Sequence, residues 1–216
     1  MIAIKPKEIQ ATFGAYDLKI RNELGSKTSS PSEIHVHPDW DPHSIPYDAD
    51  IAMLKFRLEV PITQYIQPIC LWKGLKVPSQ TQGYVAGWGK SEDTSKKHET
   101  IPKVISAPIQ ENEHCLPQNP HLAHISSNRT FCAGSRTGTG VCLGDSGSSL
   151  VIKVGNLNFI RGIVSSSLRT LTSCDVTNFA VFTDVLRYKS WIDQVMSGRE
   201  TSTISGQCQD QKANFL

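Results

Sequence analysis

A serine flanked by an acid and two glycines stands at Gly144-Asp145-Ser146-Gly147. A serine hydroxyl becomes a useful nucleophile only when a neighbouring base takes its proton. Glycines on both sides relieve crowding, so the Ser146 hydroxyl and nearby backbone N–H groups can converge on one point. In such a turn the N–H groups of Gly144 and Ser146 would form an oxyanion hole, stabilising the charge that develops on a carbonyl oxygen. The chemistry implied is acyl transfer. Gly, Asp and Ser are also ordinary turn residues, so these four positions do not decide the matter without an acid and a base to accompany them.

Short strands punctuated by turns must position that serine. ATFGAYDL, SEIHVH, ADIAMLKF, GYVAGWG, PKVISAPI, SLVIKV, NFIRGIVS and FAVFTDV are rich in β-branched or aromatic residues and bounded by Gly, Pro, Asn or Ser. SLVIKV-GNL-NFIRGIVS reads as a hairpin. The whole predicts an all-β sandwich or barrel. One helix is expected over 187–196, where Tyr188, Trp191, Ile192, Val195 and Met196 recur at three- and four-residue steps as a packing face. A helical turn near ENEHC is a weaker expectation, and SKTSSPS and KSEDTSKKHE read as surface loops.

The 216 residues carry a formal net charge of +2, too little to point to nucleic acid or an anionic membrane. No apolar run reaches the roughly 18 residues of a membrane span. Six cysteines (Cys70, Cys115, Cys132, Cys142, Cys174, Cys208) lie far apart with no C-x-x-C pair. That pattern favours disulfides and an oxidising compartment over zinc, and no metal or cofactor is implied. Asn128-Arg129-Thr130 fits the N-glycosylation triplet, in keeping with secretion. The start, MIAIKPKEIQATFG, nonetheless lacks a secretory leader.

DADIAMLKF, QPICLW, VAGWGK, FCAG, GDSG, RGIVSS and VFTDVLRYKSWI follow one another in an order that resembles the trypsin/chymotrypsin family of serine endopeptidases nearly end to end. The family's acid precedes its serine by about 93 positions, and Asp50 precedes Ser146 by 96. The resemblance implies two packed antiparallel β-barrels with the active site between them, the first barrel incomplete, and a C-terminal helix. Residues 1–82 would be the partial N-terminal barrel, 83–198 the second barrel and helix, and 199–216 a polar tail. Asp50 becomes the triad aspartate rather than a surface acid at a strand edge. Asp48 falls outside the family's Asp-Ile-Ala-x-Leu pattern, which begins at Asp50. Asp145 becomes the acid that pairs with a new N-terminus after activation cleavage.

The base is missing. By the family spacing it belongs about 45 residues before Asp50, within MIAIKPK, where no histidine stands. His35 and His37 are far too close to Asp50, IHVHPDWD resembling a structural strand and loop. His43, His98, His114, His121 and His124 match no triad position. No Ala-Ala-His-Cys stretch and no Ile-Val-Gly-Gly-like start occur. Their joint loss reads as N-terminal truncation rather than mutation, and would leave Asp145 either solvated or in need of another cation.

The resemblance further pairs Cys115 with Cys132 and Cys142 with Cys174. A third family bridge is replaced by Gly83 and Ile152. Cys70 either pairs with Cys208 or tethers an upstream regulatory domain or pro-region. The substrate pocket would be built by Gly140, Ser165, Ser167 and Ala180. With Gly140 where Lys- or Arg-specific enzymes carry an aspartate, a neutral, small or medium side chain is expected. Ser148 and Ser149 replace the usual Gly-Pro after the serine turn. The reading is a secreted serine endopeptidase acting on protein or peptide substrates, inactive in this chain alone. The alternative is a non-catalytic homologue with a binding or regulatory role.

Overall fold

The computed structural model describes residues 4–72, 81–90, 99–168 and 173–198. Before residue 70 the strands occur as two isolated antiparallel pairs. β1 (Ala11–Phe13) pairs with β2 (Lys27–Ser29), and β3 (Glu33–Val36) with β4 (Ala52–Lys55). β2 lies within the stretch expected to be a loop. Its Thr28 hydroxyl meets that of Thr12 at 3.0 Å, a cross-strand pair that composition alone does not reveal.

The remaining strands, β5 (Cys70–Leu71), β6 (Gly83–Gly87), β7 (Lys103–Ser106), β8 (Ile109–Gln110), β9 (Thr130–Ala133), β10 (Ser149–Val154), β11 (Leu157–Ser166) and β12 (Ala180–Asp184), form one sheet. Its order is β7-β6-β10-β11-β12-β9-β8, with β5 added parallel to β11. β7 and β8 are two parts of a single run interrupted at Pro108, which has no N–H to give a ladder. Beyond β7, the N–H groups of Ala107 and Ile109 donate to Gly83 and Thr81 on the β6 side. Ile109 and Gln110 meanwhile pair with Ala133 and Cys132 of β9. One run therefore borders both ends of the sheet, and the sheet curls back on itself. Gly155 at the β10–β11 hairpin takes a φ of +59°, the left-handed value that a tight turn demands.

The curl encloses Val85, Ile109, Phe131, Leu150, Ile152, Val164 and Phe182. Alternation puts Gly83, Val85 and Gly87 of β6 inward, while β12 is buried along its whole length. Gly162 is required here, because a Cβ would meet the Phe131 ring at 2.6 Å. Phe131 and Phe182 then stack at 5.6 Å. A buried Arg161–Asp184 pair lies beside them, with the guanidinium 4.6 Å from the Phe131 ring centre.

Helices are few and short: α1 (Asn112–Cys115), α2 (Pro120–Ile125) and α3 (Lys189–Ser197), the last continuing a 3₁₀ turn over Val185–Tyr188. α2 was not expected, although Asn119 accepting from the His121 and Leu122 N–H groups, with Pro120 next, is a standard helix start. The C-terminal helix sits two residues later than its apolar stripe indicated, because the first turn is 3₁₀. It packs Tyr188 and Ile192 against Ala49 and Ile51, so the segment bearing Asp50 is clamped to the C-terminal sheet. Cys115–Cys132 and Cys142–Cys174 are disulfides. Cys70 is also disulfide-bonded. Cys208, with the rest of the 199–216 tail, lies outside the described residues.

Candidate active site

Two consecutive tight turns present the serine. The Asp145 N–H donates to the Cys142 carbonyl at 3.0 Å, and the Ser148 N–H to the Asp145 carbonyl at 2.9 Å. Each turn has a glycine at its third position, Gly144 at φ +94° and Gly147 at +85°. A side chain there would be strained, which is the local reason for the Gly-x-x-Gly spacing. Ser146, between them, is exposed. The N–H groups of Gly144 and Ser146 donate to nothing among the described residues, so both remain available to an incoming oxygen.

β11 connects the serine to the acid. Val164 accepts from the Gly147 N–H and donates its own N–H to the Ser148 carbonyl, both at 2.9 Å. The next residue, Ser165, donates its hydroxyl to Asp50 Oδ2 at 2.8 Å. From β12, Thr183 donates to the Asp50 carbonyl at 2.9 Å. Ala49 and Ile51 flank Asp50 as buried residues, and the Ala49 N–H donates to the Tyr188 hydroxyl at 3.0 Å. Neighbouring residues of one strand thus hold Ser146's turn and Asp50's carboxylate. The Trypsin family model matches residues 4–192.

The chain belongs to the trypsin family.

It is 32% identical to serine protease gd of Drosophila melanogaster, over 86% of this chain and 41% of that protein. It is 32% identical to CLIP domain-containing serine protease B15 of Anopheles gambiae, over 74% and 44% of the two chains. Against rabbit (Oryctolagus cuniculus) vitamin K-dependent protein C the identity is 30%, over 92% and 43%. The chain spans less than half the length of each of these relatives.

Asp145 departs from both alternatives that the trypsin-family resemblance offered for it. It is 1% exposed, so it is not solvated. No cation pairs with it among the described residues. Instead its two oxygens accept backbone N–H groups, from Gly89 at 2.9 Å and Cys142 at 3.0 Å. Amides at such distances stabilise a carboxylate as charge-assisted bonds. Gly87 and Gly89 make room for it: a Cβ on either would lie within 2.4 Å of a carboxylate oxygen. Those two glycines were visible in VAGWGK, but nothing in their spacing tells which side chain they accommodate.

Gly140, Ser167 and Ala180 line one cleft, together with Val176, Asp175 and Phe182. Ser165 does not line it and faces Asp50. Val176 packs beside Gly140, where an added Cβ would meet it at 3.2 Å. Asp175 brings a carboxylate to the cleft that sequence reasoning missed. It accepts from the Thr177 N–H and hydroxyl and the Asn178 amide, and the Thr177 bond above all holds its carboxyl below the usual carboxylate range.

No described histidine hydrogen-bonds to Asp50 or Ser146; His98 lies outside the described residues. His35 pairs with Glu33. His37 is buried between the Tyr188 and Trp191 rings, both at 5.0 Å. Burial pushes its imidazole below the ordinary range, against the opposing pull of Asp39. Asp48 is committed elsewhere, accepting from Arg129 Nε at 3.0 Å and from the Ser127 hydroxyl at 2.7 Å. The Arg129 bond lowers the Asp48 carboxyl, and burial pushes the Tyr188 hydroxyl up to about 12.

Proposed function

We propose that this chain is the greater part of a secreted serine endopeptidase unit whose catalytic histidine lies outside these 216 residues. Ser146 attacks the scissile carbonyl, the external imidazole takes its proton, and Asp50 orients that imidazole. The Gly144 and Ser146 N–H groups hold the oxyanion. The observation that carries this reading is the β11 tether, with Val164 anchoring the serine turn and Ser165 anchoring Asp50. Substrates are proteins or peptides, and Gly140 at the pocket floor favours a neutral, small or medium side chain. Without its base the chain does not turn over peptides. Losing the histidine of a catalytic triad costs on the order of 10⁶-fold in kcat.

Relatives considerably longer than this chain, one of them named for a CLIP domain, support an additional regulatory segment in the whole protein. A second reading, a non-catalytic family member that binds rather than cleaves, is favoured by the lack of any described histidine at Asp50 and Ser146. Expression of the complete coding sequence, followed by peptide-library cleavage, separates the two. Cleavage that vanishes in Ser146→Ala supports the peptidase; a complete product that cleaves nothing supports the binding protein.

A further inference from the structure

Asn128-Arg129-Thr130 is the only Asn-x-Ser/Thr triplet without an intervening proline in the chain. It occupies the turn that leads into β9, with the Thr130 N–H donating to the Ser127 carbonyl at 3.3 Å. The Ser127, Arg129 and Thr130 side chains of the loop are all hydrogen-bonded. The Arg129 N–H donates to the Ser127 hydroxyl at 3.0 Å, and the Arg129 guanidinium pairs with Asp48 and Asp39. The Thr130 hydroxyl accepts from the Ser127 N–H and donates to the Ser127 carbonyl, both at 2.9 Å, and Thr130 is 3% exposed. Asn128 is exposed, and its side-chain amide bonds to nothing among the described residues.

We propose that Asn128 is an N-glycosylation site, modified before β9 pairs with β12. This rests on the reading of the chain as secreted. The Asn128 amide nitrogen forms a bond to C1 of an oligosaccharide carried on a polyprenyl diphosphate. The bond from that C1 to the diphosphate oxygen breaks, the polyprenyl diphosphate leaves with the electron pair, and the amide proton passes to the transferring enzyme. The enzyme must reach the triplet's hydroxyl as well as its amide, and in the folded chain the Thr130 hydroxyl is sealed. The reaction therefore belongs to the unfolded or emerging chain. Once attached, the carbohydrate stands on a loop with Ser127 and Arg129 both fixed to Asp48, where nothing has to move to accommodate it.

The test uses the full chain behind a cleavable secretory leader in eukaryotic cells, so that delivery to the transferring enzyme does not depend on the natural localisation. Peptide-N-glycosidase should shift the secreted product's mobility and leave aspartate at position 128 by mass spectrometry. Asn128→Gln should abolish the shift and still be secreted. In a second arm, microsomal membranes charged with the lipid-linked oligosaccharide should modify the reduced, denatured chain at least tenfold faster than the folded chain. A secreted wild-type product with unmodified Asn128 overturns the site, and equal modification of folded and denatured chain overturns the requirement that it precede folding. Failure of the secretion reading shows up separately, as natural full-length product retained inside cells.

Discussion

Replacing Gly89 by alanine tests the roof over Asp145. A Cβ there would lie 2.3 Å from the Asp145 carboxyl carbon and 2.4 Å from both its oxygens. The carboxylate has nowhere to go, since it is 1% exposed and its other oxygen is held by the Cys142 N–H. Overfilling a packed site costs about 1–3 kcal/mol. Loss of the Gly89 bond to a charged acceptor adds roughly 1.5–3 kcal/mol. Together these come to about 2.5–6 kcal/mol, a large part of the ~5–15 kcal/mol that ordinary domains possess. For a chain of this size that lowers the melting midpoint by about 10 °C, read by tryptophan fluorescence and checked by urea unfolding. Gly198→Ala is the control. Its Cβ would make an ordinary 3.7 Å contact with the Val195 carbonyl at a φ of −63° that alanine accepts, so its effect stays below about 1 kcal/mol. A Gly89→Ala protein within 1 kcal/mol of the parent would refute the placement of Asp145 beneath Gly89.

Arg129→Leu should cost about 1–3 kcal/mol, between an exposed and a buried pair, because Arg129 is 24% and Asp48 30% exposed. Asp48 is held below its ordinary value in the folded chain, so its share of stability is present above that value and is lost as pH falls through the folded one. The variant's urea midpoint should show less of that acid dependence, and an unchanged acid limb would exclude the Arg129 bond as its source. His37, its imidazole lowered by burial among Tyr188, Trp191, Asp39, Arg129 and Asp48, contributes stability that is complete above about pH 6.5 and declines as pH falls toward its folded value. His37→Phe should flatten the stability profile between about pH 5 and 7; a retained slope there would assign it to another group.

The sheet was legible because its strands are apolar or alternating runs closed by turn residues, as SLVIKV-GNL-NFIRGIVS shows. β2 was not, because Lys27-Thr28-Ser29 is polar and is held by its partner rather than by burial. The serine turn was readable from Gly144 and Gly147, whose positive φ values leave few other residues acceptable. The means by which Asp145 is satisfied was not, since it depends on N–H groups 56 and 3 residues away in sequence. Asp175 and Ser165 show the same limit. Asp175 reaches the cleft from a loop with no distinctive spacing, and Ser165's partner lies 115 residues away. Local chemistry is written in adjacent residues, whereas contacts between the Asp50 segment and β11 arise only when the sheet curls.

The most direct test of the account is labelling by a fluorophosphonate probe, which reacts with an activated serine. The 216-residue chain, its Ser146→Ala variant and the product of the complete coding sequence would be compared by mass spectrometry of the labelled peptide. The account predicts that the complete product is labelled at Ser146 and that the 216-residue chain is labelled no faster than Ser146→Ala. Labelling of the 216-residue chain at Ser146 at the rate of the complete product would contradict it, because a base within these residues would then be activating the serine.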